Sequence, residues 1–417
     1  MSNDKKVPKL RFPEFTDDWE QRELGEIAEY KKGYAFKSED YIDDGIKIIR
    51  VSDLGKDTIK ESGEVCISQE KAEIYKPWQL KENDLIITTV GSKPPVWESL
   101  VGKTIYVTSM FEGSLLNQNS IRVRVKNGNN QVFLRYIFNK HYIDYLQTII
   151  RGNANQGSIT VDELFQYRFR ICSAEEQEKI GAFFAQLDNT ITLQQRKCEI
   201  LKKLKKGLLQ KMFPKNGSKF PELRFPEFTD AWEQRKLEEI TDVRDGTHDS
   251  PKYITSGHPL LTSKNVKEGY INYDDVQFIS DEDFEKINQR SKVDKNDILM
   301  GMIGTIGNLA LIRKEPDFAI KNVALIKDIK QANQYYLYSY LQSPVVFNQF
   351  SNALAGGTQK FLSLKNIREL IIAISSIQEQ EKIGLFFESL DFLITLQQRK
   401  LESLKKMKNG FLQQMFV

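Results

Sequence analysis

Four polar runs hold the side chains that could do chemistry. Two of them, Lys31 to Lys37 (KKGYAFK) and Arg244 to Lys252 (RDGTHDSPK), mix cations, hydroxyls or an aromatic, and glycine. The other two, Arg151 to Ser158 (RGNANQGS) and Gly356 to Lys360 (GGTQK), are rich in amides and glycine. Amide and guanidinium groups pair bidentately with base edges, and lysine holds phosphates. The chemistry these runs could do is therefore recognition of nucleic acid, although turns rich in Gly, Asn, Gln and Thr are also ordinary loop material. The candidates in the first half of the chain are Lys31, Lys32, Tyr34, Lys37, Ser92, Lys93, Trp97, Arg151, Asn153, Asn155 and Gln156. In the second half they are Arg244, Thr247, His248, Lys252, Lys264, Thr305, Thr358, Gln359 and Lys360.

Catalytic constellations are missing from the sequence. Gly102-Lys103-Thr104 invites comparison with a phosphate loop, but the position where that motif needs its first glycine is Trp97. Gly304-Thr-Ile-Gly-Asn is not GxGxxG and lies between two strand-like runs. No Asn/Asp-Pro-Pro-Tyr/Phe run is present to hold a flipped base. His141, His248 and His258 have no cysteine or carboxylate partners at ligand spacing, and a catalytic His248 would need a nucleophile and an orienting acid that the sequence does not name. Cys66, Cys172 and Cys198 fit neither a disulfide framework nor a metal site. No catalytic residue, metal or cofactor is expected on this chain.

These polar runs sit on a frame written twice. LRFPEFTDDWEQR (Leu10–Arg22) returns as LRFPEFTDAWEQR (Leu223–Arg235), and QEKIGAFFAQLDNTITLQQRK from Gln177 returns as QEKIGLFFESLDFLITLQQRK from Gln380. Each copy of the latter opens a proline-free helix with an apolar seam at heptad spacing. The first helix, Gln177 to Met212, would be roughly 54 Å long at ~1.5 Å per residue. Its seam residues are Ile180, Phe184, Leu187, Ile191, Leu201, Leu204 and Leu208; those of the second are Ile383, Phe387, Leu390, Ile394, Leu404, Met407 and Phe411. Polar Gln194, Gln397, Lys197 and Lys400 fall near the middle, where buried polar residues can fix register. Cys198 reads as a small hydrophobe on the seam, and Lys202, Lys203, Lys205 and Lys206 as a solvated face.

The chain of 417 residues is thus a unit of about 200 residues repeated, far longer than a solenoid period. The order is body 1–172, helix 173–215, body 216–374, helix 375–417. The bodies have diverged but still align: Gly45-IKIIRVSDL with Gly257-HPLLTSKNV, Asn83-DLIITTVG with Asn296-DILMGMIG, Gln156 with Gln359, Thr160 with Ser363. Short β-type runs separated by turns, with helices late in each body, make each a mixed α+β domain around a mostly antiparallel sheet. Thr160-Val-Asp-Glu163 has the form of a capping box. Gly91 and Gly102 enclose ten residues, including Lys93, Pro94, Pro95 and Trp97, where Gly304 and Gly307 enclose only two, so the first body has an added loop. A net charge of +3 and a pI of 8.4 give no global basic signature, so any nucleic-acid surface must be local. No apolar run reaches the ~20 residues that span a bilayer, and the cytoplasm is the expected compartment.

Two variable bodies, each opened by LRFPEF…W and followed by a QEKI…LD…I…QQRK helix, resemble the specificity subunit of type I restriction–modification systems over roughly residues 9–417. The resemblance implies an α+β architecture of two pseudo-two-fold-related target-recognition domains separated by a pair of long antiparallel coiled-coil helices. It implies that each domain reads one half of a bipartite, asymmetric double-stranded DNA target and that the helices set the unread spacer. It also implies docking of two modification subunits that methylate adenine at N6, and of two restriction subunits in the full complex. S-adenosylmethionine, ATP and Mg²⁺ are then expected on those partners. An enzyme with an unrecognised site is the first competing reading, and a restriction decoy or protein–protein scaffold on the same architecture is the second.

Overall fold

This computed structural model describes residues 7–55, 58–61, 65–93, 101–126, 128–138, 140–152, 156–215, 217–304, 306–354 and 361–417. The chain forms two compact units: residues up to Leu193 with Leu401–Val417, and Gln194–Lys400. Each is built around a four-stranded antiparallel sheet. In the first unit the strands are β1 (Ala28–Lys32), β2 (Leu85–Thr88), β3 (Thr104–Tyr106) and β4 (Ser120–Val125), in the order β1-β4-β2-β3. In the second they are β5 (Val243–Asp245), β6 (Ile298–Gly301), β7 (Leu309–Leu311) and β8 (Val323–Ile326), in the order β5-β8-β6-β7. The topology is the same, so the duplication holds where the sequences have diverged.

A smaller mixed sheet accompanies each main sheet. Ile46–Ile49 pairs antiparallel with Cys66–Ile67 and parallel with Leu115–Leu116. His258–Thr262 pairs antiparallel with Gln277–Ile279 and parallel with Ala319–Lys321. Each unit is thus mostly antiparallel, as expected, with one parallel pair whose strands are separated by the long connection such pairing needs. The chain just before β2 and β6 turns through Asn83 and Asn296, both left-handed at φ 68° and 72°. Behind these turns Asp84 pairs with Arg124, and Asp297 with Lys327, at matching positions.

The repeated sequences meet one another in space. Arg11 of the first LRFPEF run makes two 2.7 Å hydrogen bonds to buried Glu176, and Arg224 bonds Glu379 at 2.7 and 2.8 Å. Lys179 pairs with Glu14, and Lys382 with Glu227. The buried Gln177 accepts from the Asn130 N–H and Gln380 from the Asn333 N–H, both at 3.0 Å. Asn130 and Asn333 cap the helices Gln131–Ile137 and Gln334–Leu341. A Cβ at Gly181 would lie 3.0 Å from the Asn130 side-chain oxygen, and one at Gly384 only 2.7 Å from that of Asn333. The QEKIG run thus keeps its glycine because a helix cap packs onto it.

The long helices are α1 (Ala174–Lys211) and α2 (Ile377–Met415), and each contributes part of its length to each unit. Within the first unit Phe183 packs on Phe411 at 5.2 Å, and Lys408 bonds Asp188. Within the second, Lys205 bonds Asp391 at 2.6 Å, and Phe213 stacks on Phe387 at 5.8 Å. Both packings are antiparallel. The Gln194 side-chain amide donates to the Gln397 side chain and, at 3.1 Å, to the Gln397 carbonyl oxygen.

The seam differs from the sequence reading at two positions. Leu204 is 49% exposed and Met407 47%. Alternating steps of four and three carry the inward face from Leu201 to Lys205 and from Leu404 to Lys408, so lysines occupy the positions assigned to those apolar residues. Each lysine reaches an aspartate, which makes an inward cation tolerable. Lys205 therefore leaves the solvated set, while Lys202, Lys203 and Lys206 stay exposed; Lys197 and Lys400 are also exposed rather than in the seam. Cys198 is buried on the seam as expected. Thr160 does cap the helix Val161–Phe165, but Glu163 does not close a capping box: its carboxylate accepts from the Thr160 hydroxyl and from Arg151. The full box is formed at the counterpart, Ser363 with Asn366.

Candidate nucleic-acid interface

In each unit the described residues of the polar turns gather at one end of the main sheet. Strand β1 runs out at Lys32 opposite Ile121, and β2 runs out at Thr88 opposite Ser120. Beyond that end the Gly33 N–H donates to the Ser120 oxygen at 2.9 Å, Thr89 to Asn119 at 3.0 Å and Ile159 to Thr89 at 3.0 Å. Gly157–Ser158 pairs with Val90–Gly91 and Arg151 bridges to Ser158, which brings Arg151 and Gly152 to Lys93. The second unit repeats this. Gly246 donates to Val323 at 3.0 Å and Leu362 to Met302 at 2.9 Å, and Ile303 bridges to Phe361.

Glycine is required at the first turn of each unit by crowding. A Cβ on Gly33 would sit 1.9 Å from the Asn117 oxygen, and one on Gly246 2.2 Å from the Ile320 oxygen. No side chain fits against a backbone so close. The turns KKGYAF and RDGTHD are therefore pinned against the chain segments 116–120 and 320–323.

Many expected contacts have partners inside the protein. The Lys31 ammonium lies 4.4 Å from the Trp78 ring centre, and Tyr34 packs among Phe36, Tyr75 and Trp78. Lys93 donates to the Gly152 oxygen at 2.7 Å; Arg151 bonds the Thr148 oxygen and Glu163. Arg244 bonds Asp242 and the Arg290 oxygen, and Lys264 bonds Asp275 at 2.6 Å. Ser92 accepts from the Val101 N–H at 3.0 Å, and Thr247 takes the Asp249 N–H on its hydroxyl. Lys32, Gln156 and Lys252 are exposed, as is Lys37, which lies 3.5 Å from Glu39. Trp97, Asn153, Asn155, Thr305, Thr358, Gln359 and Lys360 lie outside the described residues.

His248 acquires partners that its sequence neighbourhood only half reveals. Its Nε2 lies 2.8 Å from the Asp245 carboxylate and its Nδ1 2.7 Å from the Asn322 amide oxygen. The Asp245 side chain is 9% exposed and also binds Arg290, while the imidazole is 60% exposed. No nucleophile joins this group among the described residues. Elsewhere, Arg124 and burial hold the Arg122 guanidinium below its usual pKa, burial being the larger cause, while burial raises the Cys172 thiol. No group of three or more His, Cys, Asp or Glu able to hold a metal occurs among the described residues.

Sequence reasoning missed the segments against which the turns are pinned. These carry Asn117, Gln118 and Asn119 in the first unit, and Lys321 and Asn322 in the second. The amide-rich LNQNS run was a legible signal; Asn322, within AIKNVALI, was not.

Two similar α+β units, each with divergent polar turns on a repeated frame and each packed on paired long helices, define a class of duplicated recognition protein. The comparisons specify it. The family model for the type I restriction modification DNA specificity domain matches residues 16–206 and 229–406, and the chain belongs to that family. It is 24% identical to the type I restriction enzyme MjaVIII specificity subunit of Methanocaldococcus jannaschii, over 97% of this chain and 93% of that protein. It is 25% identical to the EcoBI specificity subunit of Escherichia coli, over 88% and 78%. Among solved structures, the type I restriction–modification S subunit from M. genitalium superposes with a TM-score of 0.66 at 16% identity, over 99% of both chains. A chain from a study of complex assembly and conformational transition of the type I system gives 0.51 at 14% identity, over 94% and 96%. These structural likenesses establish the fold. No described helix is long and apolar enough to cross a membrane.

Proposed function

We propose that this chain is the DNA-recognition subunit of a type I restriction–modification complex. Each unit reads one half of a bipartite target in double-stranded DNA, through the turns at the end of its main sheet. The observation that supports this most is the pairing of a constant frame with variable turns: Gly33 and Gly246 are both crowded by backbone at the same turn, but aromatic and lysine side chains surround one, and histidine, aspartate and amides the other. Two readers of different half-sites would have this form.

In this reading the chain does no bond chemistry. The long helices set the length of unread DNA between half-sites and dock two adenine-N6 methyltransferase subunits, with two restriction subunits joining the full complex. S-adenosylmethionine, ATP and Mg²⁺ belong to those partners, and the assembly works in the cytoplasm. With a net charge of only +3, the partners supply much of the phosphate contact.

The test is a genome-wide map of N6-methyladenine in cells carrying this chain with its modification subunit, against cells lacking the chain. The expected result is a new motif of two short half-sites around an unspecified gap. Co-purifying subunits without any motif would overturn the reading.

A further inference from the structure

We propose that the base-reading element of each unit is the short turn that leads from the parallel strand of the small sheet into the main sheet, with Asn322 its reading side chain in the second unit and Gln118-Asn119 in the first. This rests on the DNA-recognition reading above and specifies which residues perform it.

The turn has the same place in both units. Lys321 ends the strand Ala319–Lys321, and Val323 begins β8 opposite Gly301. Leu116 ends Leu115–Leu116, and Ser120 begins β4 opposite Thr88. Asn322 alone links Lys321 to Val323, whereas Gln118 and Asn119 link Asn117 to Ser120. The isolated bridges correspond too, Thr247 with Lys321 and Tyr34 with Asn117. Amide side chains thus recur at one topological point, although the surrounding sequences, LLNQNSIRV and AIKNVAL, differ.

The second unit holds its amide rigidly. Asn322 sits at φ 52°, a left-handed conformation that asparagine tolerates better than most residues. Its N–H donates to the Thr247 oxygen at 3.2 Å, and its carbonyl oxygen accepts from the Ser263 hydroxyl at 2.7 Å. Its side-chain oxygen faces His248 Nδ1 at 2.7 Å, while His248 Nε2 faces Asp245. Asp245, itself bonded by Arg290, holds the ring at its other nitrogen. The side-chain oxygen of Asn322 is thereby occupied. Its NH₂ group has no partner among the described residues and remains to donate.

A donor in this position selects a base-edge acceptor: adenine or guanine N7, guanine O6 or thymine O4 in the major groove. Cytosine, which shows its N4 donor there, is disfavoured. His248 and Asp245 are positioning residues: they orient the amide and need not touch the base. The lysine of the same turn, Lys321, bonds the Ser250 hydroxyl at 2.5 Å, which joins the turn to the loop running on to Lys252.

The test uses the full chain with its modification subunit and reads the methylation motif. Asn322→Gly removes the amide while keeping the left-handed backbone unstrained, so folding is preserved. The expected result is a loss of about tenfold in discrimination at one base position of one half-site, with the other half unchanged. Asn322→Asp, which presents an acceptor instead of the NH₂, should shift that position toward bases that offer a donor. His248→Ala should relax the same position, which a merely structural role would not single out. Gln118→Ala with Asn119→Ala should relax the opposite half-site. If the wild type gives a bipartite motif and Asn322→Gly methylates it with unchanged preference, this assignment is overturned while the recognition reading stands. If the wild type gives no motif, the recognition reading itself fails.

Discussion

Glu379 shows how much of the repeated sequence serves the frame. Its carboxylate is buried, takes two hydrogen bonds from Arg224 and accepts a third from the Trp232 indole at 3.1 Å. The paired charge raises the affinity of the Arg224 guanidinium for its proton, chiefly through the hydrogen bond to Glu379. Replacing a buried ion pair with apolar groups costs little, but deleting one member leaves an uncompensated charge and a larger penalty. Glu379→Ala should therefore destabilise the protein by about 3–5 kcal/mol. The double replacement of Arg224 with Met and Glu379 with Leu should cost clearly less. Denaturant unfolding of the full chain measures both, and equal losses would show that the pair does not act as a unit. The invariance of LRFPEF and EQEKI across the two halves thus has a cause independent of DNA: each supplies one side of an ion-paired clasp.

At the scale of elements, the seam of α1 and α2 decides which hydrophobic residues are structural. Leu201 and Leu204 look equivalent in a list of heptad leucines. Only Leu201 follows the alternating step that continues through Lys205, and Leu204 is left largely exposed. Leu204→Lys should change the stability of the isolated chain by no more than about 0.5 kcal/mol, as for surface positions generally. Leu201→Lys should cost about 2 kcal/mol or more, because it puts an unpaired ammonium into the seam. Thermal or chemical unfolding of the two variants separates these outcomes, and a large loss from Leu204→Lys would mean that the inward face is misassigned. The Lys205–Asp391 and Lys408–Asp188 pairs lie at equivalent positions of the two repeats. They give each helix pair a register marker that an all-apolar seam would lack.

For the whole molecule, charge sets the expectation. Sixty basic residues against 57 acidic ones leave a net +3, and many of the cations are bound internally, as Lys31, Lys93, Arg151, Arg244 and Lys264 are. Non-specific affinity for DNA comes mostly from released counterions. The chain alone should bind target DNA no more tightly than roughly micromolar at physiological salt. Titration by fluorescence anisotropy tests this, and nanomolar binding without partners would show that the loops carry far more phosphate contact than their charge implies.

Two bodies, two long helices and their shared origin were all legible from residues alone. Repetition is a property of the string, and the seam is a periodicity of one helix with itself, so both can be read without knowing what lies across the core. The β-type runs were legible for the same local reason. The clasp between Arg11 and Glu176, the inward lysines and the parallel strand pairs were not, since each depends on residues far apart in the chain. The candidate interface shows this division most clearly. Its polar turns could be named from their glycines and amides. The segments behind them, and the placing of Asn322 beside His248 and Asp245, required strand pairing across the sheet. Local composition determines which residues can turn and which can donate a hydrogen bond; long-range backbone pairing determines which of them share one end of a sheet.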